Sequence, residues 1–268
     1  MIKKSFVLML VLFIIAGCSN IVFKPKPSEP TSKTVTVPKK SIPPEEFIPG
    51  DLNIVALGDS LTAGVGDADK NGGYVSDVVE QLELNEDYKD IRLRNYAVAG
   101  HKTTNLLNRL KQADVKQEVQ NADLIFLTIG GNDMMQVVKN NIFDLTYEPF
   151  EKERTNFSER FSKIIQDIRK QNDDATIVYL GIYNPFKFVL PELSAIDAVV
   201  DNWNEASNRI LLEDENARFV KIDDLFADET NTNLLSEDKF HPNSDGYKLM
   251  GGRVLESIEQ AEIRNAAR

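Results

Sequence analysis

An α/β fold built on a parallel sheet is what this 268-residue sequence predicts, and two observations carry the prediction. Short runs of Val, Ile, Leu and aromatic residues alternate with longer amphipathic stretches. The runs are continuously apolar, as strands covered on both faces are, and most are followed by Gly, Asn or Asp, which end strands. With 42% hydrophobic and 27% charged residues, the composition is that of an ordinary globular domain with appendages.

Strands are expected over residues 53–57, 93–98, 124–129, 176–182 and 219–222, and helices over 74–84, 104–111, 156–171, 194–212 and 244–261. The last helix carries Tyr247, Met250, Val254, Ile258 and Ala261 at helical spacing, a core-facing stripe. In such sheets ligands sit beyond the carboxyl ends of the strands, so residues placed there share one edge of the fold. Two segments at that edge, 134–155 and 183–194, are longer than ordinary connections and are expected to shape the substrate site. They carry Phe143, Leu145, Tyr147, Phe150, Phe186, Phe188, Val189 and Leu190, a largely apolar and aromatic set.

Ahead of this domain the chain reads as an export and anchoring device. Lys3 and Lys4 precede an apolar run over 6–15 that is too short to span a bilayer, and Ala16, Gly17 and Cys18 follow. Residues 1–17 are therefore expected to be a signal peptide. Cys18 is the sole cysteine, so no internal disulfide can form and the fold rests on its core. Residues 19–49 hold seven of the eleven prolines and no glycine, mixed with Lys, Ser, Thr and Glu. That composition cannot bury a core and gives an extended, semi-rigid tether over 18–50, with the folded unit at 51–268.

The formal charge of -11 disfavours sequence-independent binding of nucleic acid, which needs clustered Lys and Arg. Two isolated histidines and one leader cysteine give no transition-metal cluster, and neither Gly-x-Gly-x-x-Gly nor a P-loop occurs. No metal and no cofactor are expected.

Four short blocks remain. Gly58-Asp59-Ser60-Leu61 follows the first strand and precedes an expected helix, where the backbone dipole and free N–H groups favour an alkoxide; Ser60 there reads as a nucleophile, a helix cap or part of a phosphate loop. Gly100 ends Asn95-Tyr96-Ala97-Val98-Ala99-Gly100 and is either a turn glycine or a bare backbone N–H facing a site. Asn132 follows Gly130 and Gly131; its amide can donate to a developing negative charge, or serve the turn. Asp238 and His241 are three apart before Pro242, on a stiff turn that can fold the carboxylate onto one ring nitrogen. His101, the other histidine, has no adjoining carboxylate and reads as a solvated loop residue.

In this order and spacing the blocks resemble the GDSL or SGNH hydrolase family over essentially all of 51–268. The resemblance implies a flavodoxin-like, three-layer α/β/α fold with a five-stranded parallel sheet. It further implies Ser60 as nucleophile, His241 as base and Asp238 as its orienting acid. The Ser60 and Gly100 N–H groups and the Asn132 side chain would form the oxyanion hole. Ile15-Ala16-Gly17-Cys18 resembles a bacterial lipobox, implying a lipidated Cys18 and a protein anchored to the outer face of the cell membrane. The expected activity is hydrolysis of small-molecule or lipid esters. The alternatives are removal of acetyl groups from cell-wall or exopolysaccharide sugars, and a surface binding lipoprotein without turnover.

Overall fold

The computed structural model describes residues 50–69, 72–141, 143–187, 195–227 and 233–266. The leader, Cys18 and the tether, and Phe188, Val189 and Leu190, lie outside the described residues. Five parallel strands, β1 (Gly50–Gly58), β2 (Tyr88–Asn95), β3 (Leu124–Thr128), β4 (Thr176–Leu180) and β5 (Ala217–Val220), form one sheet in the order β2-β1-β3-β4-β5. The helices are α1 (Gly73–Leu82), α2 (Thr103–Arg109), α3 (Ala113–Gln120), α4 (Gly131–Asn140), α5 (Tyr147–Arg169), α6 (Ala195–Leu211) and α7 (Ser244–Ala266).

Alternation along the central strands sorts the helices into two layers. Ile54, Ala56, Phe126, Val178 and Leu180 pack with Tyr74, Val75 and Val78 of α1 and Met250 and Val254 of α7. Val55, Leu57, Ile125, Leu127, Ile177 and Tyr179 pack with residues of α2 to α6 on the opposite face. The second face is filled by an aromatic run: Phe157 stacks on Trp203 at 4.7 Å, and Phe161 meets Tyr179 at 4.6 Å. Burial of both strand faces is why these runs carry no polar alternation. The result is the three-layer α/β/α fold with a five-stranded parallel sheet.

The structure moves several elements. The second strand runs over Tyr88–Asn95 rather than 93–98, because it is an edge strand: Lys89, Asp90 and Arg94 face out while Tyr88, Ile91 and Leu93 pack inward. The segment 134–155 is no loop; it holds most of α4 and the start of α5. Pro149 sits in the first turn of α5, where a missing N–H leaves no intrahelical bond unmade. Residues 61–66 form consecutive turns instead of a helix. The first strand runs over Gly50–Gly58 rather than 53–57, opening three residues ahead of the expected start. Among the described residues no helix is long and apolar enough to cross a membrane.

Candidate active site

The exit of β1 is fixed by close approach to β3. Gly58 has φ +137°, and a Cβ there would lie 2.1 Å from the Thr128 carbonyl oxygen, so only glycine fits. The chain then turns, and the buried Asp59 carboxylate accepts hydrogen bonds from the Thr128 hydroxyl at 2.7 Å and the Leu61 N–H at 3.2 Å. Thr128 Oγ1 is 2.8 Å from Thr62 Oγ1, which is 2.8 Å from Tyr74 Oη. Since Thr128 gives its proton to Asp59, the chain runs Tyr74 to Thr62 to Thr128 to Asp59, every hydroxyl donating toward the carboxylate. Burial pushes the Asp59 pKa up; the bonds from Thr128 and Leu61 oppose it.

Ser60, next in the chain and nearly buried, places its Oγ 2.9 Å from His241 Nε2. His241 Nδ1 lies 2.6 Å from Asp238 Oδ2. The turn beneath them is built by the other carboxylate oxygen: Asp238 Oδ1 accepts from Ser236 Oγ at 2.8 Å and from the N–H groups of Phe240 and His241 at 2.9 Å each. Burial alone would raise the Asp238 pKa, but the hydrogen bonds from the His241 ring, the two N–H groups and Ser236 outweigh it and hold the carboxyl well below its usual range. An ionised Asp238 accepts a hydrogen bond from the Nδ1–H of a neutral imidazole, which leaves the Nε2 lone pair facing Ser60. Lys239, between Asp238 and Phe240, has φ +56°, and is the non-glycine residue with positive φ among those described.

The third block opens α4. Gly130 has φ +118°, and a Cβ there would come within 2.7 Å of the Phe157 ring, so the core itself presses this turn into shape. Asn132 follows in the first turn of α4, and its Nδ2 donates to the His101 carbonyl oxygen at 3.0 Å. That bond uses one amide hydrogen and orients the other. Gly100 has φ +81°, yet a Cβ there would meet nothing within 4 Å. Glycine suits the backbone conformation of this turn, and no protein atom crowds the position.

Asp133, beside Asn132 and 3% exposed, accepts from the Thr103 N–H at 3.0 Å and the Thr103 hydroxyl at 2.6 Å. Arg160 of α5 closes the network, donating from Nη2 to Asp133 at 3.1 Å and from Nε to Thr103 Oγ1 at 2.6 Å. Sequence reasoning passed over Asp133, Thr103 and Arg160. The Asn-Asp dipeptide was the one available signal, a carboxylate directly after an expected oxyanion donor.

His101 is partly buried rather than solvated. The residue lines a depression with Val98, Asn105 and Arg109 that Ser60 does not border, and its Nδ1 has no hydrogen-bond partner among the described residues. Burial, then the Arg109 charge, lowers its pKa. What His101 supplies to the site is its backbone carbonyl.

Beside Ser60 and Asn132 opens a cleft whose apolar lining includes Leu61, Ile129, Met134, Met135, Ile182 and Phe240. Of the aromatics expected to shape the site, Phe150 is core, Phe143 is fully exposed, and Phe186 packs against the core with its ring 6.2 Å from that of Phe240. A serine hydroxyl in contact with an imidazole that a carboxylate orients, and a side-chain amide, thus lie at an apolar cleft, an arrangement suited to acyl transfer.

Comparison with known proteins agrees with this geometry. The model of the GDSL-like Lipase/Acylhydrolase family matches residues 56–249. An uncharacterized protein of Bacillus subtilis, YpmR, is 42% identical over 208 residues, covering 77% of this chain and 81% of its own. The spore germination lipase LipC of Bacillus licheniformis is 29% identical over 211 residues, covering 76% and 94%. Among solved structures, the lipase Lip_vut3 from a goat rumen metagenome superposes with a TM-score of 0.66 at 25% identity, covering 77% of this chain and 97% of that one. The acetylxylan esterase Axe2 of Geobacillus stearothermophilus shares the fold, with a TM-score of 0.60 at 20% identity over 78% of this chain and 95% of that one. The chain belongs to the GDSL-like lipase/acylhydrolase family and is a serine hydrolase of ester bonds.

Proposed function

We propose that the domain over 51–268 cleaves carboxylic esters carrying an apolar acyl group, through an acyl-serine intermediate, while tethered outside the cell by a lipidated Cys18. The observation that carries the chemistry is the continuous relay Asp238–His241–Ser60, with contacts of 2.6 and 2.9 Å. His241 Nε2 removes the Ser60 proton as Oγ attacks the ester carbonyl carbon. The free Nδ2 hydrogen of Asn132 and the N–H groups of Ser60 and Gly100 receive the charge that develops on the carbonyl oxygen. The tetrahedral intermediate collapses, the alcohol leaves with the proton from His241, and water repeats the sequence on the acyl-serine.

The apolar cleft beside Ser60 supports an acyl group longer than acetyl. The name of the relative LipC, a lipase, points the same way. The tether reading rests on Ile15-Ala16-Gly17-Cys18 and the proline-rich stretch after it; two acyl chains on Cys18 would give a stable anchor.

The test is a domain starting at Gly50, assayed on p-nitrophenyl esters of increasing chain length beside acetylated glycans, with Ser60→Ala as control. Chain-length-dependent hydrolysis lost in Ser60→Ala is expected. Preference for acetylated glycan would establish the deacetylase alternative, and no turnover of either class would overturn the proposed substrate. Fatty-acid labelling of the full chain, lost in Cys18→Ala, is expected for the anchor; label retained in that variant would remove it.

A further inference from the structure

The turn that carries His241 is built in a conformation its own sequence resists. Lys239 holds φ +56°, a region where a Cβ crowds the following carbonyl and which persists only when the surroundings over-determine it. Asp238 braces the turn from within through three hydrogen bonds. From outside, a Leu235–Pro242 bridge closes its base, and the Tyr183 hydroxyl donates to the carbonyl oxygen of Phe240 at 2.5 Å, on the residue directly before His241.

Tyr183 is itself a fixed point. Its neighbour Ile182 is clamped at N–H and carbonyl by the Asn204 side chain, at 2.9 and 2.8 Å. Tyr183 is 7% exposed, and its ring stacks on Phe226 at 4.3 Å. The same residue also lines the cleft beside Ser60. A buried phenol aimed at a single carbonyl in a strained turn has no packing need for its hydroxyl, since a phenylalanine would fill the same volume.

We infer that Tyr183 is a positioning residue: its hydroxyl pins the Asp238–His241 turn in its strained form and so holds His241 Nε2 within reach of Ser60. This rests on the reading of Ser60, His241 and Asp238 as the catalytic relay. Without the pin, Lys239 relaxes toward negative φ and the imidazole moves with it. A glycine at 239 adopts the positive φ freely and makes the pin dispensable.

Tyr183→Phe is expected to lower kcat on a medium-chain p-nitrophenyl ester about tenfold or more with KM within twofold, the split expected of a group that aligns the base without binding substrate. Labelling of Ser60 by a small phosphonate lacking an acyl chain is expected to slow in parallel. Adding Lys239→Gly to Tyr183→Phe is expected to restore kcat to at least half the parent value, a rescue that a merely structural role would not give. An unchanged kcat in Tyr183→Phe, a rise in KM alone, or no recovery in the double variant would each overturn the inference. Activity surviving in Ser60→Ala would instead overturn the relay beneath it.

Discussion

The Asp133 carboxylate bonds Thr103 twice, through the backbone N–H at 3.0 Å and the hydroxyl at 2.6 Å, and thereby fastens the chain segment after Gly100 to the first turn of α4. Asn132 adds a third tie from the same turn, to the His101 carbonyl. The two strand-exit segments that would supply oxyanion donors are thus one clamped unit.

Removing the clamp should cost both stability and rate. Asp133→Ala leaves Arg160 short of a buried partner and Thr103 with unmet donors, and should destabilise by about 3 kcal/mol or more. Asp133→Asn keeps one acceptor oxygen and should lie between. Urea unfolding and kcat measured on the same three proteins would check this; equal stability of all three would refute it.

Asn132→Ala should lower kcat by about 10²-fold with KM little changed, as for loss of a donor used mainly in the transition state. His101→Ala should change kcat by less than a few-fold, because the bond to Asn132 comes from the main chain. Steady-state kinetics decide both, and a loss in His101→Ala comparable to that in Asn132→Ala would show that the imidazole itself acts.

Asp59 gives a pH signature. Burial raises its folded pKa above the unfolded value, so the folded state binds the extra proton. Stability contributed by that proton is present at acid pH, falls as pH rises from the unfolded pKa through the folded one, and is absent above it. Asp59→Asn keeps an acceptor for Thr128 and Leu61 but carries no charge. Its Tm relative to the parent should therefore climb with pH from about 4 upward and then level off. A difference independent of pH would count against the buried charge as the cause.

Two glycines should respond with opposite sign. Gly58→Ala forces a Cβ against the Thr128 carbonyl at an unfavourable φ and should destabilise by more than the 1–3 kcal/mol or so of backbone strain alone. Gly252 lies within α7 with nothing within 4 Å of its would-be Cβ, so Gly252→Ala should stabilise by about 0.5–1 kcal/mol. Denaturant midpoints would read both.

What could be read from the sequence follows from where each signal resides. β1, β3 and β4 are continuous apolar runs because both faces are buried, and Gly58-Asp59-Ser60-Leu61 and Asp238 to His241 keep their chemistry within a few residues of chain. The edge strand β2 spoke weakly, its inward Ile91 and Leu93 interleaved with charge. α4 was hidden because Gly130-Gly131-Asn132-Asp133 reads as a turn, although Met134, Val137 and Val138 carried helical spacing. The Asp133–Thr103–Arg160 network and the Tyr183–Phe240 bond had no local signal at all. Thr103 and Arg160 are 57 residues apart, Tyr183 and Phe240 likewise 57, and only the assembled sheet makes them neighbours.

The 181-residue separation of Ser60 from His241 sets an order of events during synthesis. Ser60, Asn132 and the strands β1, β3 and β4 all leave the ribosome before His241 exists, and the helix that follows it, α7, must still find its place against α1. With His241 as the proposed base, hydrolysis is the last property a growing chain acquires. A nascent or prematurely terminated polypeptide that stops short of residue 241 stays chemically silent however well its sheet has formed, so turnover reports completion of the protein and not merely collapse of its core.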